Sequence, residues 1–229
     1  MISKEQFAAM QDHSILEAEA TLSDTKRRCD ETLQYGFGAT YVHPCYVKYA
    51  KGYCAGKAKI GTVIGFPLGA NKTSVKIFEA MEAIADGADK LDFVINISKV
   101  KSGDIAYVED ELKEIVAAVK GRAPDVIVKV IIECAYLTNE EKTVATKVVL
   151  ASGADYIKTS TGYGPWGCRI GDIRLIKRIV GDKMKIKAAA DLKDINQAMA
   201  VIEEGADVIG ENSGVRYMQD FDSQIWFEK

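Results

Sequence analysis

Histidine is scarce in this chain: His13 and His43 are the two in 229 residues. A His-rich metal centre has little to be built from. The five cysteines (Cys29, Cys45, Cys54, Cys134, Cys168) are odd in number and form no Cys-x-x-Cys pair. That argues against a zinc ribbon or a disulfide scaffold and fits a reducing, cytoplasmic setting. No apolar run approaches the roughly 18 residues of a membrane span. The start, Met1 to Gln6, lacks the apolar stretch of a secretory signal. Charge of one sign is not in excess either: 30 Lys and Arg against 33 Asp and Glu leave a net charge of −3. This balance is unlike a nucleic-acid tracking surface or an anionic-membrane anchor. A small-molecule substrate is the expected partner, and a homo-oligomer remains open.

What is present reads as a folded α/β chain. Hydrophobic residues make up 48% and charged residues 28%, without a Pro- or Ser-rich linker, so one domain over 1–229 is expected. Gly87-Ala88-Asp89, Gly153-Ala154-Asp155 and Gly205-Ala206-Asp207 repeat a motif, with Gly36 in a looser copy. Each reads as a helix C-cap glycine followed by a turn into a buried strand. Thr138 to Glu141 fits a capping box, and Asp104 and Asp194 mark helix starts. Strand patterns fall near Asp12–Leu16, Ala39–His43, Lys59–Phe66, Lys90–Asn96, Val126–Glu133, Asp155–Thr161, Lys185–Ala190 and Asp207–Asn212. Helical patterns separate them, which implies parallel strands with crossover helices. Eight such units predict a (β/α)8 TIM barrel. The rival doubly wound sheet predicts a glycine-rich phosphate loop after its first strand, and none follows Leu16.

Alternation within the strands points to the chemistry. Leu91 and Phe93 oppose Asp92; Val128, Val130 and Ile132 oppose Lys129 and Glu133; Ile157 opposes Lys158; Ile186 and Ala188 oppose Lys187. Successive strand side chains face opposite ways. With the apolar face on the helices, Asp92, Lys129, Glu133, Lys158 and Lys187 share one lumen. A satisfied ion-pair network filling the barrel is the plain reading. Two lysines on neighbouring strands suggest more, because one ammonium pushes the other toward the neutral amine. A neutral lysine amine attacks carbonyls and forms a Schiff base. Asp92 then holds a lysine charged or relays a proton.

The sequence resembles the 2-deoxyribose-5-phosphate aldolase family. The likeness is carried by Asp12 to Leu16, Thr62 to Gly69, Lys76 to Ala80, Gly87 to Asn96, Lys129 to Glu133 with Leu137-Thr138, and Gly153 to Gly162. It runs from about Asp12 to Val215, and Lys158-Thr-Ser-Thr-Gly162 together with Ile64-Gly-Phe-Pro-Leu-Gly69 is specific. The resemblance implies a class I aldolase that uses no metal or organic cofactor. Lys158 would be the Schiff-base lysine, Lys187 the lysine that lowers its pKa, and Asp92 the acid working with them. Asp12 would sit at the base of the site, and Lys129 and Thr161 would contact substrate.

Departures from the family concentrate where the resemblance implies a phosphate. The seventh strand usually continues Lys-Ala-Ser-Gly-Gly-Ile-Arg; here it is Lys187-Ala-Ala-Ala-Asp-Leu-Lys193. The eighth usually ends Gly-Thr-Ser-Ser-Gly; here it is Gly210-Glu-Asn-Ser-Gly214. Asp191, Glu211, Asn212 and Ser213 are therefore expected to line the substrate tail. An anion site wants amides, hydroxyls and cations. A carboxylate about 4 Å from a phosphate costs on the order of 4 kcal/mol per unit-charge pair at an effective dielectric near 20. A neutral or cationic tail is the expectation, unless both carboxylates turn away. Tyr41 stands where the family often has Cys, His43 where Asn is common, and the tail ending Trp226 to Lys229 lacks the family's occasional terminal Tyr.

Lesser candidates have two readings each. Gly65 to Gly69 either turns the chain or lines the site; Tyr163 and Trp166 cover the mouth or pack; His43 is a site wall or a cap. Cys134 and Cys168 read as packing residues, since no histidine is placed to activate them. Three functions stay open on these residues: a class I aldolase, an imine-forming lyase on an unphosphorylated or cationic substrate, and a non-catalytic carbonyl-binding barrel.

Overall fold

The computed structural model describes residues 2–222; the expectation about Trp226 and its neighbours lies outside them. Eight parallel strands pair in chain order and close on themselves. They are β1 (Gln11–Ile15), β2 (Ala39–Val42), β3 (Ile60–Ile64), β4 (Lys90–Val94), β5 (Ile127–Ile131), β6 (Tyr156–Lys158), β7 (Lys185–Ala189) and β8 (Val208–Glu211). Helix α1 (Lys4–Ala9) precedes β1. The crossover helices are α2 (Leu22–Tyr35), α3 (Val47–Cys54), α4 (Thr73–Ala85), α5 (Ile97–Lys101) with α6 (Ile105–Arg122), α7 (Asn139–Ala151), α8 (Ile170–Val180) and α9 (Ile195–Glu203); α10 (Gly214–Asp222) follows β8. This is the expected (β/α)8 barrel. Among the described residues, no helix is long and apolar enough to cross a membrane.

The main core lies between barrel and helices. Leu91, Phe93, Val128, Val130, Ile157, Ile186 and Ile209 are all buried there. Each such aliphatic or aromatic side chain contributes about 1.5–3 kcal/mol by leaving water. The same alternation sends the polar members of each strand inward.

Local signals in the sequence locate the ends of the elements. Thr138 heads α7 with the reciprocal Glu141 box, and Asp104 and Asp194 accept from Tyr107 N and Gln197 N at the starts of α6 and α9. Gly87, Gly153 and Gly205 all take positive φ. The repeated aspartate does more than the turn requires. Asp89 accepts from Ile60 N at 2.9 Å, Asp155 from Val128 N at 2.8 Å and Asp207 from Ile186 N at 2.8 Å. Each pins its strand to the preceding one at the closed end of the barrel.

All eight strands are shorter than expected at the mouth. Asn96 leaves the ladder to cap α5, accepting from Lys99 N at 3.2 Å. Glu133 and Ala190 leave at φ +50° and +71°. A positive φ breaks the period of two, so alternation cannot place a side chain beyond it.

Candidate active site

The barrel register sets four lysines around two aspartates. Lys158 lies opposite Lys187 in the β6–β7 ladder, and Asp92 opposite Lys129 in β4–β5. Lys187 Nζ bridges Asp12 Oδ2 at 2.8 Å and Asp92 Oδ2 at 2.9 Å. Lys158 Nζ reaches the same Asp92 oxygen at 2.9 Å. Below them Lys129 pairs with Asp12, and Lys90 reaches Asp12 Oδ1 at 2.9 Å. Lys90 was not anticipated, although it shares the parity of Asp92 and so the same strand face.

Four ammoniums on two carboxylates would leave excess positive charge in a dry lumen, so the amines cannot all be ordinary. Burial works against both carboxylates. Lys129, Lys187 and Lys90 overcome it and hold Asp12 well below the usual range. Lys158, Lys187 and Lys129 do the same for Asp92. Burial also opposes the charged form of Lys187, but Asp12 and Asp92 together hold its ammonium above the ordinary lysine value. Lys158 goes the other way: burial, joined by the Lys187 charge, outweighs Asp92 and moves it down. Lys129 is pushed down to about 7, chiefly by burial. Access separates the two softened amines. Lys158 and Lys187 border a cavity of about 590 Å³ at the mouth, whereas Lys129 is sealed beneath Asp12 and does not. Lys158 therefore combines a depressed pKa with an open approach.

The cavity runs from these lysines past Thr161 and Ala190 to Asn212 and Ser213. Glu133 holds one wall: it accepts from Thr161 N at 2.9 Å and from Thr161 Oγ1. Burial pushes the Glu133 carboxyl up. Tyr163 crosses the mouth, donating its hydroxyl to Leu16 O at 2.6 Å and meeting Phe66 edge-on. Among the described residues, no group of three or more His, Cys, Asp or Glu side chains is arranged to hold a metal ion.

A closed barrel with paired lysines bordering its mouth is the setting of an imine aldolase, and comparison with known proteins agrees. A family model described as DeoC/LacD family aldolase matches residues 6–220. The chain belongs to this family. It is 47% identical to the deoxyribose-phosphate aldolase of Thermococcus gammatolerans over 91% of this chain and 93% of that one. A solved structure described as QR15, an aldolase, superposes with a TM-score of 0.89 at 38% identity, each chain covered in full. The deoxyribose phosphate aldolase of Aeropyrum pernix, described as having a unique tetrameric structure, gives 0.90 at 29% identity, covering 97% of this chain and 94% of that one. The protein is an aldolase of the class I type, a carbon–carbon lyase resembling deoxyribose-phosphate aldolase.

Asp191, Glu211, Asn212 and Ser213 all border the cavity, and their side chains are engaged within the protein. Glu211 borders the cavity, but its carboxylate turns into the helix layer and meets His13 Nδ1 at 2.8 Å. The strand period explains this: Gly210 is the residue of β8 that faces Lys187, so its neighbour faces outward. Asp191 is exposed, and its Oδ2 accepts from Gly167 N at 2.6 Å. Asn212 Nδ2 donates to Glu17 Oε1 at 3.1 Å, and Ser213 Oγ to Asn212 Oδ1 at 3.2 Å. Glu133, expected in the lumen, braces Thr161 instead. The Gly65 to Gly69 loop packs beneath Tyr163 without bordering the cavity. Trp166 stacks with Arg169, and His43 holds Glu17 O at 2.9 Å rather than forming a wall. Cys134 and Cys168 are pushed up by burial, Cys168 to about 12, which fits packing roles.

Proposed function

We propose that the protein reversibly cleaves a short 2-deoxy sugar phosphate through an imine on Lys158. The supporting observation is the shared Asp92 oxygen, 2.9 Å from both Lys158 Nζ and Lys187 Nζ, with Lys158 open to the cavity. The neutral Lys158 amine adds to the open-chain aldehyde carbon, and loss of water gives the protonated imine. That cation withdraws electrons from the next carbon–carbon bond. When the neighbouring hydroxyl gives up its proton the bond breaks, an aldehyde leaves, and a two-carbon enamine stays on Lys158. Protonation and hydrolysis release an acetaldehyde-like fragment. Lys187 and Asp92 form the adjacent proton-transfer pair. Thr161, borne on Glu133, is the hydroxyl contact to substrate, and Asp12 and Lys129 form the ionic floor that holds Lys187.

A phosphate tail is supported by the turn at Ala190 and Asp191. Both residues hold left-handed φ, +71° and +56°, a conformation glycine adopts freely, so the turn is made here without glycine. Ser213 and Lys193 border the same end of the cavity. With Glu211 turned away, half of the electrostatic objection lapses. A second reading, an uncharged sugar tail, is favoured by Glu17 and Glu19 at that end and by the Glu17 contact to Asn212. Operation in the cytoplasm and self-association belong to the proposal; the tetrameric Aeropyrum pernix relative supports the latter.

Borohydride reduction in the presence of 2-deoxyribose 5-phosphate tests the imine. A mass addition on the Lys158 peptide, absent in Lys158→Ala, is expected. No adduct with any aldehyde would leave a carbonyl-binding barrel without turnover. The ratio of kcat/KM for deoxyribose 5-phosphate and deoxyribose separates the two tails.

A further inference from the structure

Tyr41 projects from β2 into the ionic lumen, 1% exposed yet bordering the cavity. Its hydroxyl donates to Asp92 Oδ1 at 2.7 Å, leaving the other Asp92 oxygen to Lys158 and Lys187. Its ring centroid lies 3.7 Å from Lys187 Nζ and 5.4 Å from Lys129 Nζ. The ring fits because Gly61 is its partner in the β2–β3 register, and a Cβ on Gly61 would overlap it. Tyrosine and glycine thus form a matched pair that sets the ring against Lys187.

The two lysines share adjacent strands, one carboxylate oxygen and one cavity, and Lys187 alone also reaches Asp12, at 2.8 Å. Tyr41 treats them differently. Its negative π face sits against the Lys187 ammonium and favours the charged form. Among the described residues, no ring lies over Lys158. The phenol also takes up part of the Asp92 charge by hydrogen bonding, which weakens the hold of that carboxylate on a Lys158 proton.

We propose that Tyr41 is the positioning residue that assigns the two lysines their tasks, keeping Lys187 as the buried ammonium and leaving Lys158 as the amine that attacks. This rests on the imine reading. Burial raises the Tyr41 phenol well above its usual value, so it stays a donor throughout the working range.

The test follows borohydride trapping of acetaldehyde against pH for the full chain, with the label located by peptide mass. Tyr41→Phe keeps the ring and removes the donor. Its trapping limb is expected to move to higher pH by about one unit, giving about tenfold slower trapping at neutral pH and full recovery in alkali. Tyr41→Leu removes both contacts, and label is expected on Lys187 as well as Lys158. Thermal melting checks that each variant is folded; if Tyr41→Leu is not, the Tyr41→Phe limb decides. A loss that is the same at every pH would make Tyr41 structural only and overturn the proposal. So would an unmoved limb with label confined to Lys158. Absence of the Lys158 adduct in the unmodified protein would instead overturn the imine reading itself.

Discussion

Gly210, paired with Ala189 in the β7–β8 ladder, lies against the Lys187 side chain with no room for one of its own. A Cβ on Gly210 would lie 2.7 Å from Lys187 Cε and 3.1 Å from Ala189 Cβ. A lysine tip usually swings aside cheaply, but this one is held by Asp12 and Asp92. Gly210→Ala should therefore shift the Lys187 ammonium while leaving the strand in place. A displacement near 1 Å costs on the order of 10²-fold in rate. Steady-state kinetics should show this loss with a nearly unchanged melting temperature; unchanged kcat/KM would mean that the position of Lys187 does not matter.

The charge of Lys187 should be visible in the pH dependence of imine formation. Lys158 is lowered by burial and by Lys187, against the pull of Asp92. Lys187→Leu removes a lowering influence and leaves Asp92 to Lys158 alone, so the Lys158 pKa must rise. Trapping should slow strongly at neutral pH and recover at alkaline pH. A rate reduced equally at all pH values would count against an electrostatic role.

Asp12 should carry stability as well as hold Lys187 in place. Its folded pKa is depressed, so its contribution is present above the unfolded value of about 3.9 and is lost as pH falls toward the folded value. Asp92 follows the same sign. Acid unfolding should therefore set in below about pH 4. Asp12→Asn leaves Lys129 and Lys90 without their carboxylate and Lys187 with Asp92 alone, and breaking such a buried pair costs about 3–5 kcal/mol. Denaturant titration at neutral pH measures it; a cost under about 1 kcal/mol, the level of an exposed pair, would show that water reaches the lumen floor.

Glu211 should prove structural. Its carboxylate serves His13, with Glu31 on the far ring nitrogen at 2.8 Å. Glu211→Gln should lower stability by about 1–3 kcal/mol, the cost of an unsatisfied buried group. The preference between deoxyribose 5-phosphate and deoxyribose should stay as it was. A shift toward the phosphorylated sugar would return Glu211 to the substrate tail.

A lysine imine polarises the carbonyl without a metal, so chelator treatment should leave kcat/KM unchanged. Strict dependence on a divalent ion would assign carbonyl polarisation to the metal and overturn the Lys158 route.

The order of strands and helices was legible in the sequence because its causes are local. Alternation about Asp92, Lys129, Lys158 and Lys187 has a period of two, and the Gly-Ala-Asp repeats mark positive φ one residue at a time. These signals need no knowledge of distant residues. They also placed the lysine pair on adjacent strands, since chain order and barrel order coincide. The tertiary structure alone decided which amine is open. Lys129 and Lys158 have the same parity and both are lowered, but depth in the barrel seals one and exposes the other. It decided equally that Glu211 faces His13 and that Asp191 reaches Gly167. Tyr41 found its room only through a glycine on the next strand. Each of these depends on inter-strand register or on the sign of φ past a strand end, and neither is written in a local pattern of residue types.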